Sequence, residues 1–340
     1  MCLYPKLIIN PKYKSNKKNG GNIPFMKDDR VKYVPIGCQG CIECKRKKSR
    51  EWKVRLNEEI KVNKYKFITL TFSDESISKL YIECEKKTDL KGYDKDNWAA
   101  TRAVRLWLEN VRKSTKKSVR HWLITELGHK GTKNIHIHGL INVNNIEHYM
   151  LIISKWENNF GNVYPKKDND YNNNFVNEKT ISYIVKYVTK MDLEHKGYSS
   201  IILTSAGIGK NYVDSYNYNR NKFNKENTKE FYITETGHKL SLPIYYRNKL
   251  YSDDEKENLW LYKLDEGIRY VMGEKIKVTD LESMKEYEEL RKYWSNENIK
   301  MGYTNGEISE ERKNYERQQR ILAQKTRIAK TNKKLSRQEK

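Results

Sequence analysis

The clearest alternation in the chain runs from Ile135 to Val143, where apolar residues recur at every second position and predict a half-buried strand. His121 to Glu126 reads as a second strand, and the Gly-containing loop Leu127 to Asn134 between them predicts a hairpin. A third strand is predicted at Phe67-Ile68-Thr69-Leu70-Thr71-Phe72, with Ile68, Leu70 and Phe72 on one face and Thr69 and Thr71 on the other. Helical periods separate these strands. Residues 45–62 carry Trp52, Leu56 and Ile60 at four-residue spacing opposite a strongly basic face. Residues 97–114 turn Val104, Leu108 and Val111 inward, with Arg105, Arg112 and Lys113 at the rim, and residues 146–160 and 179–192 predict two more helices around an Asn/Asp-rich loop at 165–178. Strand, helix, hairpin, helix is the order of an α+β domain built on an antiparallel sheet.

The two ends follow other rules. Residues 1–48 are loop-rich, with Pro5, Pro11, Pro24, Pro35 and the pair Gly20-Gly21, and close on Cys38-Gln39-Gly40-Cys41-Ile42-Glu43-Cys44. So little periodic apolar content requires another source of order. Residues 237–251 are turn-rich and end in a basic and aromatic run, while residues 310–340 lack Gly and Pro and suit a basic helix or a disordered tail. Three segments are expected: a Cys-rich knot at 1–48, a central domain at 49–251 and a helical, charged extension at 252–340.

Composition narrows the partners. The formal charge is +23 over 340 residues, and most of the excess lies in the first 250, which points to a polyanion such as nucleic acid. The opening MCLYPKLIINPKYK has no apolar signal core and no run of about 18 apolar residues follows, so a cytoplasmic protein without a membrane partner is expected. In a reducing compartment, five cysteines point to thiols or metal ligands rather than disulfides.

Candidate chemistry falls in three places. In the strand Ile135-His136-Ile137-His138-Gly139-Leu140-Ile141, period two puts both imidazoles on one face. Imidazole nitrogens suit Mn²⁺, Zn²⁺ and similar ions, and Glu126, on the strand expected to pair with this one, is the natural third ligand, with His129 and His121 as competitors. Two polar residues on an exposed strand face would give the same spacing. In Ile181-Ser182-Tyr183-Ile184-Val185-Lys186-Tyr187-Val188-Thr189-Lys190, period 3.6 puts Tyr183, Lys186, Tyr187 and Lys190 on one stripe and Ile181, Ile184, Val185 and Val188 on the other. A phenol with a pKa near 10 needs help to act as a nucleophile, and neighbouring ammonium groups offer it; ordinary boundary packing of two Tyr is the competing reading. Third, Cys38, Cys41 and Cys44 at three-residue intervals favour a structural zinc site, with Cys2 as the best fourth ligand and Cys84 a weaker one. Lys45, Arg46, Lys47 and Arg50, and the run Tyr245-Tyr246-Arg247-Asn248-Lys249-Leu250-Tyr251, mix cations with aromatics as a single-strand interface does, or as a solvated face does. Ser205-Ala206-Gly207-Ile208-Gly209-Lys210 lacks the spacing of a phosphate loop.

Taken in order, FITLTF, HIHIHGLI and YIVKYVTK resemble the motifs of the HUH endonucleases, and most closely the replication initiators of microviruses of the gokushovirus-like branch. The N-terminal MCLYPKLI with GCQGCIECKRKKSREW, and SAGIGKNY and LPIYYRNKLY further on, extend the resemblance over most of residues 1–251. It implies a ferredoxin-like, RRM-like antiparallel sheet with helices on one face and the active site on the other. It further implies Mg²⁺ or Mn²⁺ on His136, His138 and Glu126, nucleophilic attack by Tyr183 and Tyr187, and Lys186 and Lys190 at the scissile phosphate. The activity implied is nicking of origin DNA through a 5′-phosphotyrosine bond, which frees a 3′-hydroxyl for rolling-circle replication in the host cytoplasm by a host helicase and polymerase. A transposase or relaxase with the same His pair, and a non-enzymatic zinc-containing nucleic-acid-binding protein, are the alternatives.

Overall fold

The computed structural model describes residues 2–130, 133–165, 175–195, 197–304 and 328–329. The elements begin with strands β1 (Lys6–Ile9) and β2 (Tyr33–Ile36), helix α1 (Ile42–Ile60), β3 (Tyr65–Leu70), α2 (Asp74–Lys87) and α3 (Tyr93–Thr115). They continue with β4 (His121–Leu127), β5 (Ile135–Asn142), α4 (Ile146–Glu157), β6 (Val163–Tyr164), α5 (Glu178–Ile184), α6 (Lys186–Thr189) and β7 (Ile202–Thr204). Last come α7 (Tyr216–Asn219), β8 (Phe231–Ile233), β9 (Lys239–Ser241), α8 (Ile244–Leu250), α9 (Asp253–Asp265), β10 (Ile268–Val271), β11 (Glu274–Lys277) and α10 (Leu281–Lys300). Most of the expected loop at 165–178, and the tail at 310–340 apart from residues 328–329, lie outside the described residues.

Packing divides the chain into two units, residues 59–208 and residues 2–58 with 209–304, which differs from three consecutive segments. The reason lies in the aromatics of residues 209–251. Tyr212, Tyr232, Leu242, Tyr246 and Tyr251 close around Val54 of α1, so this stretch folds with the N-terminal segment. Glu58 of α1 accepts a buried hydrogen bond from the Tyr232 hydroxyl at 2.6 Å.

Residues 59–208 hold a five-stranded sheet, entirely antiparallel, in the order β6-β3-β5-β4-β7. The central strand β5 sets the two faces. Ile135, Ile137 and Ile141 join Ile68, Leu70, Leu123 and Leu127 in one core with the inner faces of α2, α3 and α4. Trp107 of α3 and Trp156 of α4 meet edge to face there with centroids 5.5 Å apart, and both indole N–H groups donate to buried carbonyls, those of Ile152 and Thr71. Such a pair anchors the layer through buried area while leaving no polar atom unmatched. The opposite sheet face carries His136, His138 and Glu126 and is approached by α5 and α6, so helices occupy both sides of the sheet rather than one.

Gly139 is required by close approach. A Cβ there would sit 2.4 Å from both the Trp122 carbonyl oxygen and Leu123 Cδ2 of the neighbouring strand. Because a backbone atom cannot be displaced cheaply, Gly139→Ala is expected to cost about 1–3 kcal/mol by overpacking, read as a lower urea midpoint at unchanged m-value.

The unit formed by residues 2–58 and 209–304 corrects two expectations. The loop-rich start contains the antiparallel pair β1–β2, and the extension beyond residue 252, expected to be helical, contains the hairpin β10–β11 between its helices. Met272 and Gly273, both at positive φ, form its two-residue turn, the geometry that matches strand twist. α10 then returns to the beginning of the chain. Asn298, fully buried, accepts from the Ile42 backbone N–H at 2.8 Å and so satisfies the start of α1, while the Tyr4 hydroxyl donates to the Ser295 carbonyl at 2.9 Å.

Candidate active site

The hairpin register decides which side chains face one another. Glu126 lies opposite His136, Ile124 opposite His138, and Thr69 of β3 opposite His138 on its other side. These residues share one sheet face. His138 is held from both ring nitrogens, Nδ1 at 2.9 Å from Thr69 Oγ1 and Nε2 at 2.8 Å from Glu126 Oε2. The other Glu126 oxygen accepts from the Lys190 ammonium. The alternation of its strand puts Thr69 on the polar face, and only the pairing gives it a role.

The tyrosine segment starts with Asn177, whose side chain accepts from the Thr180 N–H at 3.0 Å and caps α5. The expected single helix at 179–192 is interrupted at Val185 and continues as the short α6 to Thr189. Burial of Ile181, Ile184, Val185 and Val188 anchors both pieces, so the opposite stripe survives the interruption. The Tyr183 and Tyr187 hydroxyls lie 3.0 Å apart, and the Tyr187 ring stacks on the His138 imidazole with centroids 4.5 Å apart. Phe67 meets Tyr183 edge to face at 6.1 Å. Two phenols, an imidazole, a carboxylate and an ammonium therefore converge. Lys186 is exposed on the same stripe, whereas Lys190 is engaged with Glu126 rather than open toward solvent.

Electrostatics tune these groups in opposite senses. Burial pushes the Glu126 carboxyl up, but hydrogen bonds from His138 and Lys190 outweigh it and hold the group below the usual range, so it stays ionised. Burial and the neighbouring His138 hold His136 below the ordinary imidazole value, favouring the neutral form that ligates metals. Burial, the bond to Tyr183 and the Glu126 charge together push the Tyr187 phenol up. At rest this hydroxyl keeps its proton.

The donor set of His136, His138 and Glu126 suits a divalent ion in chemistry and in face. The carboxylate touches one imidazole and lies across the ladder from the other, and the two imidazole centroids are 6.5 Å apart. Among the described residues, the groups whose ligand atoms all lie within 4.8 Å of one another are two others: Cys2, Cys38, Cys41 and Cys44, and His129, Asp192 and His195. His129 is thus drawn to a partner set that sequence spacing did not reveal.

His121 falls on the face opposite Glu126, where its Nδ1 lies 2.9 Å from the Val119 carbonyl oxygen and 3.0 Å from Ser205 Oγ. Parity removes it as a ligand. Burial, outweighing the Val119 bond, holds its imidazole below the ordinary value. The unfolded chain therefore takes up this proton first as pH falls through about 6.5, so the associated stability is full above that value and is lost as pH drops toward the lower folded pKa. His121→Asn is expected to flatten the loss of urea midpoint between about pH 7.5 and about pH 5.5 relative to the unsubstituted chain.

The four cysteines gather at the start of α1. Cys2 Sγ and Cys41 Sγ are 3.8 Å apart, close to the edge of a tetrahedron with metal–sulfur bonds of about 2.3 Å. Backbone N–H groups of Tyr4 and Cys38 point at Cys2 Sγ, at 3.3 and 3.2 Å, and that of Cys41 at Cys38 Sγ, at 3.3 Å, the outer-shell bonds that stabilise thiolates. Leu3, Ile42, Val271 and Tyr287 seal the cluster, and Cys84 lies elsewhere, in α2. The site can hold a metal ion.

The basic segments are used unevenly. Arg46 and Lys47 are exposed, Lys45 is partly buried with its ammonium pushed down by desolvation and by Lys48, and Arg50 pairs with Glu43 at 3.3 Å. In the later run, Tyr246 and Tyr251 are core residues and Arg247 pairs with Glu230 at 2.8 Å, which leaves Lys249 exposed and Tyr245 at the surface. Arg55, which spacing did not single out, is stacked between Trp52 and Tyr245 at 4.2 and 4.1 Å.

The fold and site together define an antiparallel-sheet domain that sets a pair of tyrosines against a histidine and carboxylate face. Residues 65–192, from the first residue of β3 to just beyond α6, match the family model of the replication-associated protein ORF2, so this part of the chain is similar to replication-associated proteins. No curated protein and no solved structure gives a significant match to the chain.

Proposed function

We propose that residues 59–208 form an HUH-type, tyrosine-nucleophile nicking domain that starts rolling-circle replication, as in the microvirus initiators of the gokushovirus-like branch. The single observation that carries this reading is the meeting of the Tyr183 and Tyr187 hydroxyls, 3.0 Å apart, over the ring of His138. The succession β-α-β-β-α-β and the order β6-β3-β5-β4 are those of a ferredoxin-like sheet, with the two helices of the β3–β4 crossover counted as one layer, and support the same reading. So does the family match across both motifs.

In this mechanism a phenol oxygen of Tyr183 or Tyr187 bonds to the phosphorus of the scissile linkage, the bond from phosphorus to the 3′ oxygen breaks, and that oxygen takes up a proton. His136, His138 and Glu126 would hold Mg²⁺ or Mn²⁺, which supplies Lewis-acid polarisation of the phosphate when bound. Lys190 neutralises Glu126 in the resting arrangement and, with Lys186, provides the positive charge that an incoming phosphodiester meets. The adjacent second phenol is placed to cleave again while the first remains esterified, which releasing and closing a circle requires. The exposed Arg46, Lys47 and Lys249 serve phosphate contacts with single-stranded origin DNA, and the freed 3′-hydroxyl serves a host polymerase behind a host helicase.

Incubating the full chain with 5′-labelled and 3′-labelled single strands, with Mn²⁺ or EDTA, tests the proposal on a denaturing gel. Metal-dependent transfer of the downstream strand to protein is expected. Salt-sensitive binding with no covalent product would sink it and favour a pure nucleic-acid-binding role.

A further inference from the structure

We propose that His129, Asp192 and His195 form a second, separate site for a divalent transition-metal ion, which ties the loop after β4 to the segment that follows the tyrosine helices. Their ligand atoms lie within 4.8 Å of one another. Asp192 is pre-set for the task, since its Oδ1 accepts from the backbone N–H groups of Glu194 and His195, at 3.1 and 2.8 Å. That leaves Oδ2 facing the imidazoles, 2.7 Å from His195 Nδ1 and 3.6 Å from His129 Nε2.

The second observation is an orphan. His129 Nε2 is buried and has no hydrogen-bond partner, although it points toward Asp192 Oδ2 from beyond bonding distance. Buried ring nitrogens are ordinarily satisfied, and ligands about 2.0–2.2 Å from a tetrahedral ion stand about 3.3–3.6 Å from each other. Glu194 Oε1, 3.4 Å from His129 Nδ1, supplies the outer carboxylate that turns Nε2 toward a metal. His195 is 5% exposed and packs edge to face on Tyr93 at 6.4 Å, so the site has a rigid aromatic wall.

Two imidazoles with one carboxylate suit Zn²⁺, Co²⁺ or Mn²⁺ better than Ca²⁺ or Mg²⁺, and three protein ligands leave a position for water or another oxygen. Placement gives the consequence. His129 lies two residues past the end of β4, and Asp192 lies two residues past Lys190, whose ammonium grips Glu126. An ion at this point reinforces the contact between Glu126 and Lys190 from the far side and so acts on the position of α6. The ion site stands on its own ligands, and only its effect on the tyrosines rests on the function proposed above.

The test is a metal count on the full chain, stripped of metal, loaded with Zn²⁺ and freed of excess. His129→Gln and His195→Gln are each expected to lose one ion per chain, and the double variant no more than one. Cys41→Ser and His138→Ala lose ions additively with these. With Co²⁺, the difference spectrum between the unsubstituted chain and His129→Gln shows ligand-field bands without thiolate charge transfer. An unchanged ion count and a blank difference spectrum in a folded His129→Gln chain, judged by circular dichroism, would overturn the proposal. His129, at the rim, decides the matter if buried His195 does not tolerate substitution. Nicking enters separately: with the tyrosines intact, His129→Gln slows adduct formation about tenfold, whereas a chain that never nicks still yields the same ion count.

Discussion

Replacing Tyr183 and Tyr187 together by Phe abolishes the covalent protein–DNA product, by at least about a thousandfold, and leaves single-strand binding within a factor of about two. The substitution removes the nucleophilic oxygens alone. Both rings remain, so the stack on His138 and the contact with Phe67 persist. The two hydroxyls bond to one another, so deleting both removes a matched pair and strands no buried donor, and stability changes by less than about 1 kcal/mol. The single variants separate the two phenols. Tyr183 is 52% exposed, while Tyr187 is half-buried against His138 with its pKa pushed up. If each single variant retains part of the adduct, either phenol can attack; if one alone abolishes it, that residue makes the first cut. A double variant that still becomes attached to DNA would show that the nucleophile is elsewhere.

Loss of metal from the four-cysteine cluster is expected to have the largest effect on stability. Structural zinc contributes about 10–16 kcal/mol of binding free energy in small modules, and the first 44 residues offer few buried apolar side chains to replace it. Cys41, fully buried at the start of α1, joins the cluster to the seal made with Val271 and Tyr287. Cys41→Ser, or prolonged chelation, is therefore expected to lower the melting temperature by more than about 10 °C and to expose residues 2–44 to protease. Atomic emission should find zinc in the purified chain and lose it in the variant. Equal melting curves with and without chelator would assign the thiols to plain packing. The circuit through Asn298, which satisfies the Ile42 N–H, predicts that this loss also loosens α10.

Local periodicity determined several features of this protein. Period two in β5 dictates that His136 and His138 share a face, and period 3.6 dictates that Tyr183 and Tyr187 share a stripe opposite Ile181, Ile184 and Val188, because these follow from backbone geometry within one element. Cysteine spacing likewise brought Cys38, Cys41 and Cys44 together on one turn, and the antiparallel pairing of β4 with β5 placed Glu126 opposite His136. Tertiary structure alone decided that the tyrosine stripe lies on the histidine face, that Lys190 closes on Glu126, and that His129 meets the sequence-distant Asp192 and His195. It also placed Tyr246 and Tyr251 in a core and Arg247 in an ion pair, and formed short strands such as β6 and β7 that carry no periodic signal of their own. A repeating pattern specifies which side chains point the same way, whereas the element they meet depends on closing long loops and on non-local burial, which no short window of residues contains.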